Sequence, residues 1–212
     1  MDLLKQFVDL FLHLDTHLSQ VISQYGTWTY LILFVIVFCE TGLVVTPFLP
    51  GDSLLFAAGT FAALGQLDLW LMILLLAAAA ILGDTVNYWV GAAIGPRAFS
   101  GNLRFLKKEH LDRTRAFYER HGGKTIILAR FVPIVRTFAP FVAGVGTMSY
   151  PQFLLYNVVG AALWVGLLVP AGYFFGTIPV VRENFTIVIL AIVALSVMPI
   201  ALEALRSRRR TA

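Results

Sequence analysis

Charge is what this 212-residue chain has least of: 13% of its residues are Asp, Glu, Lys or Arg, against about 25% in a soluble globular domain. Cysteine is reduced to Cys39, which lies in an apolar run and reads as a small core residue; an intramolecular disulfide is excluded. Histidine is missing from every apolar segment. His13, His17, His110 and His121 all fall outside them and are assigned no role. A cleavable apolar leader is not expected either, because Asp2, Lys5, Asp9, His13, Asp15 and His17 interrupt the first 25 residues. What the chain does have is 58% hydrophobic residues and a mean hydropathy of +0.80. A soluble core could not hide that much apolar surface, and disorder is excluded by the same composition. The class that remains is an all-α integral membrane protein of one domain with a handful of spans, each using roughly 20 residues.

The net charge of +4 is less informative than its distribution. Cations cluster at Arg97 to Lys124 and at Arg206 to Arg210. In so apolar a chain these read as cytoplasmic loops rather than as a nucleic-acid surface. Residues 1–24 place apolar side chains at near-helical spacing with polar residues between them, which predicts an amphipathic helix lying at the interface.

Residues 27–65 form an apolar stretch broken by Glu40 and by Thr46 to Asp52, where Pro47, Pro50 and Gly51 forbid a continuous helix. Trp28 to Leu64 is 37 residues, too long for one span and short for two with a solvent loop. The stretch therefore predicts a hairpin of two helical pieces turning inside the membrane, where broken backbone must be buried in protein or line a cavity. Residues 67–95 read as a span with Trp70, Tyr88 and Trp89 near its ends. Residues 97–124 read as a basic surface segment with a helix ended by Gly122-Gly123. Residues 125–148 repeat the anomaly: Arg130, Arg136, Pro133 and Pro140 sit in an apolar segment, which predicts a second re-entrant hairpin. Residues 152–177 and 185–205 read as two further spans, the last followed by a basic tail.

Two motifs recur at an offset of 85. Phe56-Ala57-Ala58-Gly59 matches Phe141-Val142-Ala143-Gly144, and Tyr88-Trp89-Val90-Gly91 matches Tyr173-Phe174-Phe175-Gly176. Each half reads as a broken hairpin followed by a span. With the 97–124 loop and the tail both cytoplasmic, counting the crossings makes the second hairpin enter from the cytoplasm and the first from the opposite face. Inverted repeats with broken helices near the midplane are a common transporter plan.

Glu40, Asp52, Asp84, Arg130 and Arg136 lie in or beside apolar segments, where one charge at a helix centre costs about 2.5–3.5 kcal/mol. Mutual neutralisation is the ordinary explanation for each of them. Several retained together point to a ligand or proton site, since apolar packing would often be as stable. Two arginines six residues apart suit a phosphate or carboxylate, and buried acids suit proton exchange. Asp84 and Asn87 either line the same cavity or anchor the end of their span. Asn157 and Ser196 read as interhelical hydrogen-bonding residues. Gly59, Gly83, Gly91, Gly144, Gly160 and Gly176 read as permitting close helix packing.

At Glu40-Thr41-Gly42, at Pro47-Phe48-Leu49-Pro50-Gly51-Asp52 and at Arg130-Phe131-Val132-Pro133-Ile134-Val135-Arg136-Thr137 the chain resembles the bacterial DedA family, which is related to eukaryotic VTT-domain scramblases. The resemblance covers residues 25–180, leaving 1–24 as the interfacial helix and 181–212 as a last helix and cytoplasmic tail. It implies two facing re-entrant hairpins, a bacterial cytoplasmic-membrane location, and transport of a lipid phosphate, with undecaprenyl phosphate or a phospholipid as substrate. It also implies a link to the proton motive force, functional acids at Glu40 and Asp52, and functional arginines at Arg130 and Arg136.

Three functions follow as expectations. The first is a flippase in which Arg130 and Arg136 hold the phosphate while Glu40 and Asp52 couple protons. The second is a proton-coupled antiporter of small cations or drugs, with structural arginines. The weakest is a lipid-phosphate phosphatase, which lacks a histidine in any apolar segment. No cofactor, metal or nucleic-acid partner is expected. A homo-oligomer is compatible with the chain.

Overall fold

The computed structural model describes residue 20 and residues 24–43, 51–94, 108–184, 187–188 and 190–192. The expected interfacial helix 1–24 therefore lies almost wholly outside the described residues. So do the turn carrying Pro47 and Pro50, most of the span 185–205 with Ser196, and the basic tail. Every described element is helical. In chain order they are α1 (Trp28–Gly42), α2 (Gly51–Ala63), α3 (Leu69–Ile94), α4 (Lys108–His121), a 3-10 turn (Gly122–Lys124), α5 (Thr125–Ala129), α6 (Pro133–Val142), a π-helical turn (Ala143–Thr147), α7 (Tyr150–Phe175) and α8 (Pro179–Glu183).

Helices α3 and α7 are long and apolar enough to cross a membrane. Each has 26 residues, or about 39 Å at 1.5 Å per residue, against a hydrocarbon core of about 30 Å. Leu71, Leu74, Leu82 and Val86 on α3, and Leu155, Leu163 and Leu167 on α7, are exposed. Rows of large apolar side chains on the outside are what a lipid-facing surface requires.

Local chemistry sets the ends of the elements. Gly65 closes α2 in a left-handed conformation (φ +75°), with Gln66 N–H donating to the Phe61 carbonyl at 3.1 Å, as in a Schellman cap. Asp68 caps α3 by accepting from Leu71 N–H at 2.7 Å. The helix ahead of Pro133 cannot continue, because a residue before proline is pushed out of the α region. Val132 is extended (φ −123°, ψ 103°), and α6 restarts with Pro133 in its first turn. Pro140 lies inside α6 rather than at its end.

The chain divides into two compact units, one comprising Met1–Val35, Pro50–Leu76 and Val165–Ala212, the other Ile36–Leu49 and Ala77–Trp164. In the first, α2 packs on the later part of α7. A Cβ at Gly59 would overlap the Val169 carbonyl oxygen and approach Tyr173 N, and one at Gly172 would overlap the Phe56 carbonyl. Thr60 Oγ1 donates across this contact to the Gly172 carbonyl at 3.1 Å. In the second unit the matching motif of the other half does the same. A Cβ at Gly144 would overlap the Tyr88 carbonyl oxygen and approach Ala92 N, and one at Gly91 would overlap the Phe141 carbonyl. Glycine is required at such crossings because the backbones touch where a side chain would stand. At the offset of 85, the second contact sits one helical turn further along its long helix than the first.

The core of the second unit gathers Tyr88, Ile126, Phe138, Phe141, Val142 and Phe153. Tyr88 stacks on Phe153 at 4.6 Å, and its hydroxyl donates to the Met148 carbonyl at 3.0 Å. Helix α4 packs on α6, and Tyr118 donates to the Ala139 carbonyl at 2.9 Å. These contacts hold the broken segment α5–α6 against α3 and α4.

Candidate functional site

Five elements of the second unit deliver polar side chains to one place. Glu40 comes from the last turn of α1, Asp84 and Asn87 from the later half of α3, Arg130 from the break between α5 and α6, Arg136 from the first turn of α6, and Asn157 and Trp164 from α7. Asp84 and Asn87 are three residues apart, and Asn157, Gly160 and Trp164 follow at spacings of three and four, so each set shares one helix face.

Arg130 is 3% exposed. Its Nη2 donates to Asp84 Oδ2 at 2.6 Å and to Asn157 Oδ1 at 2.6 Å. Arg136 Nη2 donates to Glu40 Oε1 in a second ion pair, also largely buried. Trp164, 1% exposed, lies beneath both: the guanidinium carbons stand 5.7 Å (Arg130) and 5.2 Å (Arg136) from the centre of its ring system. A cation over an indole face is attracted by the ring quadrupole, more strongly where water is excluded. Gly160 leaves the room Arg130 needs, since a Cβ there would come within 3.1 Å of Arg130 Nε.

Amides brace the set. Asn157 Nδ2 donates to the Ile81 carbonyl at 3.0 Å, which turns its Oδ1 toward Arg130. Asn87 Nδ2 donates to the carbonyls of Thr41 (3.3 Å) and Thr137 (2.9 Å), tying α1 to α6 across α3. Arg130 Nε, Arg130 Nη1 and Asn87 Oδ1 are buried with no hydrogen-bond partner among the described residues. Buried donors are almost always satisfied, so two unsatisfied guanidinium donors invite an acceptor. At the edge of the site, burial pushes the Tyr118 phenol well above its usual pKa, and the Asp84 carboxylate adds to the effect.

Glu40, Asp84, Asn87, Arg130 and Arg136 thus come together. Asp84 and Asn87 are both buried, and Asp84 is the direct partner of Arg130. Asp52 stands in the first turn of α2 in the first unit, half-buried. Gly51 opens α2, and Pro47 and Pro50 lie outside the described residues. Trp164 was not singled out from the sequence. Its signal was position: a tryptophan in the middle of a span, away from the interface where the residue is usually found.

A model of the VTT domain matches residues 49–174, a stretch that includes Asp84, both arginines, Asn157 and Trp164 and begins after Glu40. Protein DedA of Escherichia coli (strain K12) is 55% identical over 215 aligned residues, covering 100% of this chain and 98% of that protein. The chain belongs to the DedA family. An uncharacterized membrane protein of Mycobacterium leprae (strain TN) is 46% identical over 84% of the chain and 82% of its own length. The inner membrane protein YqjA of Escherichia coli (strain K12) is 38% identical over 71% of the chain and 69% of its own length. No solved structure matches the chain. Relatives named as membrane proteins agree with the apolar helices α3 and α7, and the DedA-family chain is a helical membrane protein.

Proposed function

We propose that this protein is a flippase that moves a lipid phosphate across the bacterial cytoplasmic membrane, with undecaprenyl phosphate as the first candidate and a phospholipid as the second. The observation that carries the reading is the pair of arginines on one indole, Arg130 buried and Arg136 largely so, with Arg130 Nε and Nη1 lacking acceptors among the described residues. Two guanidiniums within reach of one oxyanion offer the planar donors that phosphate prefers. A lipid tail stays in the bilayer throughout, so only the head group needs a polar path. That suits a small chain with few polar residues.

The accompanying architecture is an inverted repeat of two opposed re-entrant hairpins, about 27–65 and 125–148, with the 97–124 loop and the tail in the cytoplasm. Reciprocal glycine contacts, Gly59 on α7 and Gly144 on α3, support the repeat. Protons serve as the coupling ion through Glu40 and Asp52. A second reading, a proton-coupled antiporter of small cations or drugs, draws on the fact that each arginine already has a carboxylate partner, as a structural arginine would.

Reconstituted vesicles separate the two. The flippase reading predicts protein-dependent movement of a labelled polyprenyl phosphate, reduced at least tenfold by Arg136→Ala with the thermal unfolding transition retained. Cation–proton exchange with no lipid movement would establish the antiporter instead.

A further inference from the structure

The four charges of the site sum to zero: Arg130 with Asp84, and Arg136 with Glu40. A phosphate monoester brings a charge of −1.5 to −2 at neutral pH. Added to a neutral buried set, that charge would be uncompensated, which is strongly unfavourable in a water-poor site. The donors pose the same problem. The indole covers one face of each guanidinium, so an anion must approach in the guanidinium plane. The two terminal nitrogens of Arg130 form one in-plane fork. Nη1 has no partner among the described residues, but Nη2 is held by Asp84 and Asn157. Bidentate binding therefore requires one of these two acceptors to release Nη2, and of the two only Asp84 carries the negative charge that opposes an incoming anion.

Resting on the lipid-phosphate reading, we infer that the head group binds by exchange: it replaces the carboxylates on both guanidiniums while Asp84 and Glu40 each take up one proton. A dianionic head group and two protons then enter the neutral set, and the occupied site is again neutral. Protonation also turns each acid from an acceptor into an O–H donor, which can face the phosphate rather than repel it. Among the described residues, the charged and titratable groups that act on Asp84 or on its partner Arg130 are Arg136 on α6, Glu40 on α1 and Tyr118 on α4; α7 contributes neutral Asn157 and Trp164. The Tyr118 hydroxyl is engaged with the Ala139 carbonyl, which leaves Asp84 and Glu40, the carboxylates paired with the two guanidiniums, as the acids that exchange protons in the binding step itself; Asp52 belongs to the first unit and is not part of this exchange. Asp84 is the new member, a proton carrier of the site beside Glu40. Linkage makes the effect reciprocal: phosphate favours protonation, and protonation favours phosphate.

The test is calorimetric binding of geranylgeranyl monophosphate to the full chain in lipid nanodiscs, near pH 8 where the probe is a dianion, in two buffers of different protonation enthalpy. The expected uptake is about two protons per probe, so affinity falls about 100-fold per pH unit; in Asp84→Asn it is about one proton and about tenfold per pH unit. Glu40→Gln should likewise retain about one proton, that of Asp84, and keeps the test decisive if Asp84→Asn does not fold. An unchanged proton count in Asp84→Asn, or loss of all uptake in Glu40→Gln, overturns the exchange while leaving the flippase reading standing. Inorganic phosphate binding as tightly with the same proton count supports the exchange and overturns the lipid reading. Failure of the native chain to bind either probe overturns both.

Discussion

Trp164 is the side chain on which both arginines of the site rest. Desolvated cation–π contacts are worth about 2 kcal/mol, so Trp164→Leu should weaken phosphate binding about tenfold or more, whereas Trp164→Phe, which keeps an aromatic face, should lose only a fraction of that. Binding of a polyprenyl phosphate by the two variants checks this. Tyr118 makes a buried hydrogen bond to the Ala139 carbonyl, and its removal in Tyr118→Phe should cost about 1–2 kcal/mol, seen as a lower thermal midpoint. Because burial raises the Tyr118 pKa in the folded state, its contribution is fully present below the unfolded value of about 10 and is lost as pH rises through the folded value. Tyr118 should therefore ionise late in an alkaline absorbance titration, and that late step should vanish in Tyr118→Phe. Charges in an apolar chain can be recognised in sequence because they are expensive; their partners cannot. Asp84 meets Arg130 across 46 residues, and only the folding of α3 against the α5–α6 break joins them.

The break itself could be read from sequence, because proline acts on its immediate neighbour. Val132 is extended since Pro133 follows, and Arg130 stands at the break rather than on a continuous helix. Pro140 has the same chemistry but lies within a helix, because packed surroundings in membrane proteins re-satisfy the backbone group that proline frees. The glycines also divide by context. Ala at Gly59 or Gly144 would meet a backbone carbonyl of the crossing helix, and such overpacking should cost about 1–3 kcal/mol. Gly166, on the same helix α7, has nothing within 4 Å of a would-be Cβ. Gly166→Ala should be neutral or stabilising by up to about 1 kcal/mol. Thermal unfolding of the three variants in one detergent gives the comparison; equal losses at all three positions would contradict the packing account.

At the scale of the molecule, the scarcity of charge and the periodicity of apolar residues lead directly to a helical membrane protein, since both reflect a solvent that excludes charge. Long spans such as 67–95 were legible for that reason and match α3 (Leu69–Ile94) closely. The meeting of Arg130 and Arg136 over Trp164 was not, because tertiary packing leaves no local periodic signal. The proposed orientation has its own check. In a Cys39→Ser background, single cysteines at Ser100 and Ser207 should react only with reagents supplied from the cytoplasmic side, and labelling of either from outside would reverse the topology. The central claim is that Arg130 and Arg136 hold a lipid phosphate, and lipid retained through purification tests it most directly. Mass spectrometry of the purified protein should find a polyprenyl phosphate or a phospholipid enriched over the bulk membrane, and that enrichment should be lost in Arg130→Gln and Arg136→Gln variants that remain folded. Enrichment unchanged in both variants would contradict the account.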